Sequence, residues 1–283
     1  MERTYQVLRV DDCMYAARHS GLWRIDPDGA QRNLFANWRA ANDTPALCVA
    51  TKGDTLLAGV QGGVARSFDG GDNWEVCAFR LPAPLVTCLC LGADCLLAGT
   101  FADGVFRSTD AGATWQAYNH GLFDHSVNCL ALSPRFADDG AVYAGTSTGI
   151  YCSHNGGRLW QDMHVGSGRE NVLCLAAAED GALYAGCEAH GLLRIAAARV
   201  EPIEVGAGAV NGLALTAAGL AVQLDDRVVA SQHAGASWRT LADGVDCLAL
   251  AGDALLLGMA DGQIVTVPAA DDLWKQDNGL LKG

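Results

Sequence analysis

The motif Leu-Leu-Ala-Gly returns along this chain at a nearly constant step, and that repeat limits the fold more than any other feature. It stands at 56–59 and 96–99, becomes Val-Tyr-Ala-Gly at 142–145 and Leu-Tyr-Ala-Gly at 183–186, and returns as Leu-Leu-Leu-Gly at 255–258. Met14-Tyr-Ala-Ala17 and Gly219-Leu-Ala-Val222 read as worn copies. The fourth positions fall at 17, 59, 99, 145, 186, 222 and 258. A fixed period of about 40 residues marks an array of one supersecondary unit, because each unit must bury its apolar face against the next. Seven such units fill the 283 residues and leave no room for a second domain.

Each unit carries four short apolar runs. In the third they are Leu85–Leu91, Cys95–Thr100, Val105–Ser108 and Thr114–Tyr118. Runs of this length, rich in β-branched and aromatic residues and bounded by Gly and Asp, read as strands. No stretch sustains a helical period. Four strands per unit, repeated radially, describe a propeller blade. The expected fold is all-β: a single seven-bladed β-propeller domain with four-stranded antiparallel blades at residues 4–40, 41–82, 83–122, 123–166, 167–206, 207–242 and 243–280. The last strand is expected near Trp274.

Composition narrows the partners. Thirty-two acidic against nineteen basic side chains give a net charge of −13. Nucleic-acid binding draws on basic patches that release counterions, so nucleic acid is not expected as a partner. Anionic membrane surfaces are disfavoured for the same reason. No apolar run approaches the roughly 18 residues of a membrane span, so no membrane insertion is expected. The N-terminal residues show no signal-peptide pattern. Five of the eleven cysteines (Cys48, Cys88, Cys129, Cys174 and Cys247) share one repeat position, as a small buried hydrophobe would. The expected compartment is the reducing cytoplasm.

The hairpin between third and fourth strands carries a local signature. It reads Ser67-Phe-Asp69-Gly-Gly71-Asp-Asn-Trp74 in the second unit and Ser108-Thr-Asp110-Ala-Gly112-Ala-Thr-Trp115 in the third. An Asp carboxylate can accept backbone N–H groups two or three residues on and close such a turn. Ser153-His-Asn155-Gly-Gly157-Arg-Leu-Trp160 has Asn for Asp, and Ser231-Gln-His233-Ala-Gly235-Ala-Ser-Trp238 has His. This pattern resembles the Asp-box of the bacterial neuraminidase (BNR) repeat family, and the resemblance covers essentially the whole chain. It implies a propeller like those of sialidases, the photosystem II assembly factor and sortilin-like receptors. In that family the box is a turn device rather than a site.

Catalytic chemistry is harder to find. Sialidases of this family carry an Arg-Ile-Pro motif, an arginine triad, a Tyr/Glu pair and an Asp acid/base. Trp23-Arg-Ile-Asp-Pro27 comes close to the motif, but Asp26 interrupts it. Arg24 shares its repeat position with Arg66, Arg107 and Arg194, so the blade explains it more economically than a site does. No glutamate sits beside a tyrosine in a recognisable setting. Cys88-x-Cys90 lacks the second half of a zinc site. Gly59-Val-Gln-Gly-Gly63 precedes no helix, so the phosphate-loop context fails. No catalytic residue, metal or cofactor is expected.

Recognition is left to the loops on a rigid ring. Loops joining second to third strands share one rim with those joining each blade to the next. They carry Asp103, Glu188, His190, Asp225, Asp226 and Asp261, with Arg18 and His19. The longer connections are Asn37–Thr44, His120–Ser126, His164–Asn171 and Glu201–Ala209. The expectation is a non-catalytic scaffold or assembly subunit that binds a protein partner through a rim. The alternative is a glycan-active protein, either a glycoside hydrolase or a lectin, with a glycan or small molecule in the channel.

Overall fold

The structure, a computed structural model, describes residues 2–38, 44–79, 81, 84–165, 169–197, 199–216, 219–232 and 235–268. Consecutive strands form seven antiparallel sheets, at residues 4–33, 48–78, 86–117, 127–162, 172–203, 210–243 and 245–268. Six sheets have four strands and the seventh has three among the described residues. The strand expected near Trp274 lies outside them, as does His233. First strands of neighbouring blades pack side by side all the way round, and the first blade meets the seventh. The chain is therefore a seven-bladed β-propeller.

The core lies between blades rather than at one centre. Seven apolar clusters occupy the seven interfaces: Leu22, Phe35 and Val49 between the first two blades, for example, and Val7, Cys247 and Leu256 between the seventh and the first. Cys48, Cys88, Cys129, Cys174 and Cys247 pair across the ladder with Gly59, Gly99, Gly145, Gly186 and Gly258. A Cβ on any of these glycines would overlap the facing Sγ. It would also press on the first strand of the following blade, at Val86, Val127, Val172, Val210 and Thr4 respectively. Small residues are needed because two blades and a thiol meet at one point.

Blade 6 departs from the expected register. Gly212, not a cysteine, faces Gln223, so Gln223 rather than Val222 holds the glycine position. The sequence motif slipped by one because large and small have changed places. Blade 1 solves the same contact with Gln6 opposite Ala17, and the Gln6 side chain accepts from Val49 N–H of the next blade at 2.8 Å.

The Ser-x-Asp turns adopt one geometry. Ser67, Ser108, Ser153 and Ser231 each accept at Oγ from the N–H four residues on, at Gly71, Gly112, Gly157 and Gly235, over 2.9–3.0 Å. The carboxylate bonds fall three and four residues on, one further than the sequence argument placed them. Asp69 accepts from Asp72 and Asn73 N–H, and Asp110 from Thr114 N–H. Asn155 makes the same bonds to Arg158 and Leu159 through its amide oxygen. The glycines stand at φ from +81° to +98°, a left-handed region that other residues avoid.

The tryptophans then tie blade to blade. Trp74, Trp160 and Trp238 donate Nε1–H to the carbonyls of Leu34, Tyr118 and Glu204 in the preceding blade. Trp115 donates within its own turn, to Gly112, and packs against Phe79 instead.

One α-turn, Phe136–Asp139, interrupts the all-strand pattern, and its Phe136 ring covers Gly92 of the blade before. Glu201, read as the start of a loop, lies in the strand Arg199–Ile203.

Candidate interaction rim

Antiparallel order places the strand 2–3 loops and the blade-to-blade connections on one face, and backbone hydrogen bonds lock them together. His19 N–H reaches Arg3 O, Gly62 reaches Pro84, Gly104 reaches His125, and Ser147 reaches Ser126. Glu188 to Asn171, Asp225 to Ala209 and Ala260 to Gly244 complete the circuit. A rim pinned this way presents side chains from fixed backbone.

The first strands add a second device. In blades 1 and 3–7 the register slips by one residue near the start of the strand, leaving a β-bulge. Bulges re-aim a side chain at a barrel or ring mouth. Several bulge residues latch onto the next blade: Thr87 Oγ1 donates to Val127 O at 2.6 Å, and Asn128 Nδ2 donates to Val172 O at 3.0 Å. Asp246 accepts from Thr4 N–H at 3.0 Å, which fastens the seventh blade to the first.

The eight residues expected on the rim are distributed over five blades, not gathered at one focus. Glu188, His190, Asp225, Asp226, Asp261 and His19 are exposed, and Asp103 is half-buried. Arg18 is different: it is only 4% exposed. Its guanidinium donates to Gln31 Oε1 and Gly262 O, and it lies over the Trp23 ring. Burial pulls its pKa down. Arg18 borders the rim, but its side chain is taken up in joining the first blade to the strand 2–3 loop of the seventh.

His190 Nδ1 meets Glu170, a buried carboxylate that also accepts from Ala189 N–H. Beside it, Asn171 Nδ2 bridges to Glu188 at 2.9 Å, and Asn128 joins Asn171 at 2.8 Å. A cavity of about 530 Å³ opens further round, lined by Phe123, Asp124, Thr148, Tyr151, Asp162 and Arg169 among others. Burial alone would raise the Asp124 carboxyl. Hydrogen bonds from Ser126 N–H and the Thr148, Thr146 and Ser147 hydroxyls outweigh it and hold the group below its ordinary value. Phe101 and Phe123 are 61% and 85% exposed on this rim; the connection His120–Ser126 that carries Phe123 was among the expected recognition loops, whereas Phe101 was not expected as a contact. The signal for a loop position was available, since Phe123 adjoins Asp124, Phe101 lies two residues before Asp103, and both fall outside the strands.

The strand-3 arginines are occupied by local carboxylates. Arg24 pairs with Asp26 at 2.7 Å, Arg66 with Glu75, and Arg194 with Asp180 and Glu201. Burial pushes the Cys88, Cys90 and Cys247 thiols up to about 12. Among the described residues no three His, Cys, Asp or Glu side chains converge as metal donors.

No protein-family model matches the chain, and no curated protein matches its sequence. Solved structures do match. The BT4673 extracellular domain from B. thetaiotaomicron superposes with a TM-score of 0.77 at 15% identity, over 94% of this chain and 38% of that one. The present chain thus spans less than half the length of that protein. The GH74 xyloglucanase from Xanthomonas campestris gives 0.73 at 18% identity, over 96% and 54%. YCF48 bound to D1 peptide gives 0.68 at 18% identity, over 95% of both chains. At such identities the likeness is one of fold, and it sets this chain beside other β-propellers.

Proposed function

We propose that this chain is a non-catalytic interaction platform of the Asp-box repeat kind, working in the cytoplasm and holding a protein partner on the strand 2–3 rim. The observation that carries the proposal is the rim itself. Its loops are cross-linked by backbone hydrogen bonds, and it exposes Glu188, Asp225, Asp226 and Asp261 to solvent. Preorganised loops lose little entropy on binding. The likeness to YCF48 bound to D1 peptide, which extends over 95% of both chains, supports a protein partner. Eleven free thiols suit a reducing compartment.

A second reading, glycan binding, draws on the exposed Phe123 face beside the hydroxyls and carboxylates of the 530 Å³ cavity. Affinity capture of the tagged protein from its native cytosol at moderate salt, followed by mass spectrometry, separates the two. A stoichiometric protein partner is the expected result. Recovery of the protein alone, with ligands on a glycan array, would overturn the platform reading.

A further inference from the structure

We infer that the partner docks on the rim at blade 3, through a segment whose apolar side chains are flanked by lysine or arginine. This deepens the platform reading and rests on it.

The first observation is where apolar surface is left uncovered. Among the described residues eight large hydrophobic side chains are exposed. Five of them lie in turns of the opposite face, on outermost strands or on an inner strand. Of the remaining three, Phe101 and Phe123 lie on the rim and bracket blade 3, and Leu81 lines a cavity on the outer edge of the same blade with Thr114 and Tyr118. Leu81 sits in the connection entering it, Phe101 in its strand 2–3 loop, and Phe123 in the connection leaving it, at 39%, 61% and 85% exposure. Scattered exposed apolar residues are ordinary, but a set confined to one blade of a rim marks an interaction surface.

The second observation is rigidity. Phe101 N–H bonds to Leu85 O at 2.9 Å, and Gly104 N–H to His125 O at 2.9 Å. Asn119 clamps the same loop, accepting from Val105 N–H and donating to Asp103 O, both at 2.8 Å. Leu122, 3% exposed, anchors the connection next to Phe123. The two rings are thus displayed from fixed backbone, as binding anchors are.

The third observation is charge. Asp103 stands between the two phenylalanines in sequence, and its carboxylate meets no partner among the described residues. The cavity beside Phe123 holds Asp124 and Asp162 with Arg169 and His164, whose Nδ1 lies 3.5 Å from the Asp162 carboxylate. With a chain charge of −13, the field over this rim attracts a cationic segment. A neutral sugar gains nothing from that field.

The test is selection of a random dodecapeptide phage library on the full chain, followed by fluorescence anisotropy of the selected peptides. Binding is compared for the wild type, Phe101→Ser/Phe123→Ser and Asp103→Lys. Both phenylalanines are exposed, so thermal unfolding of the double variant should match the wild type and exclude a folding defect. The inference expects selected peptides that combine aromatic or branched aliphatic residues with Lys or Arg. It expects affinity to fall about tenfold or more in the double variant and less in Asp103→Lys, and added salt to weaken binding. Enriched acidic peptides, no enrichment, or equal affinity for wild type and double variant would overturn it. So would a glycan ligand, or a wild-type dimer, lost in the double variant. A native partner captured equally by wild type and Phe101→Ser/Phe123→Ser would reject this site while leaving the platform reading standing.

Discussion

Gln223 and Gly212 face each other across blade 6 with large and small exchanged relative to the Cys-over-Gly pair of five other blades. The exchange keeps the interface filled. Gln223 is 3% exposed and donates Nε2–H to Val245 O at 3.0 Å and Asp246 O at 3.1 Å, both in blade 7. The thiol blades reach the same place more weakly, as when Cys174 Sγ contacts Val210 O at 3.4 Å.

Gln223→Ala should therefore destabilise the fold by about 1–3 kcal/mol, because carbonyls of the next blade lose a buried donor and a void opens. The paired change Gly212→Cys/Gln223→Gly should recover part of that loss by installing the pair used elsewhere. Urea denaturation reads both. A paired variant no more stable than Gln223→Gly alone would contradict the exchange.

Gly186→Ala should cost about 1–3 kcal/mol through overpacking. The added methyl meets the Cys174 thiol and Val210 of the next blade. Adding Cys174→Ala should return part of the stability, since it removes the first of those obstacles. Strict additivity in the double-mutant cycle would count against the contact.

The Asp turns predict an acid dependence. Asp69 is lowered to about 2, chiefly by the Asn73 N–H and side-chain amide, and Asp110 to about 2, chiefly by the Thr114 hydroxyl and N–H. Unfolded, such carboxyls titrate near about 3.9. Each folded pKa is depressed, so the stabilisation is complete above the unfolded value and is lost as pH falls through the folded one. Asn155 builds the same turn without a charge. Asp69→Asn/Asp110→Asn should fold normally and show a shallower fall in Tm between about pH 4 and pH 2. Superimposable Tm profiles for variant and wild type would refute this.

Native thiols should be slow. Burial holds Cys88, Cys90 and Cys247 near 12, so the reactive thiolate is scarce at neutral pH. Ellman titration should label these positions only on unfolding. Rapid labelling of Cys88 in the folded protein would contradict the packing described.

The repeat period and the four-strand unit were legible because both arise from local hydrophobic patterning, and Val105–Ser108 was placed to the residue. The Ser, Gly and Trp of the turn were legible for the same reason. Gln223 was not, since a size exchange across a ladder hides from a motif that reads one strand at a time. Nor were the bulges at Thr87, Asn128 and Asp246, which leave only a polar residue in an apolar run. The burial of Arg18 was not legible, because bordering a turn says nothing about which way a long side chain is taken up. The exposure of Phe101 and Phe123 was not legible, because it depends on how the neighbouring loops pack rather than on the residues beside each ring.

The platform account is tested most directly by comparing two faces of one molecule. Asp103→Lys/Asp225→Lys/Asp261→Lys reverses charge on the rim, at blade 3 as well as at blades 6 and 7, while Asp12→Lys/Asp54→Lys/Asp253→Lys reverses as many carboxylates in the strand 1–2 turns opposite. Quantitative capture of the native partner should fall sharply for the rim set and stay at the wild-type level for the opposite set. Equal capture by both sets, or loss confined to the opposite face, would contradict the account.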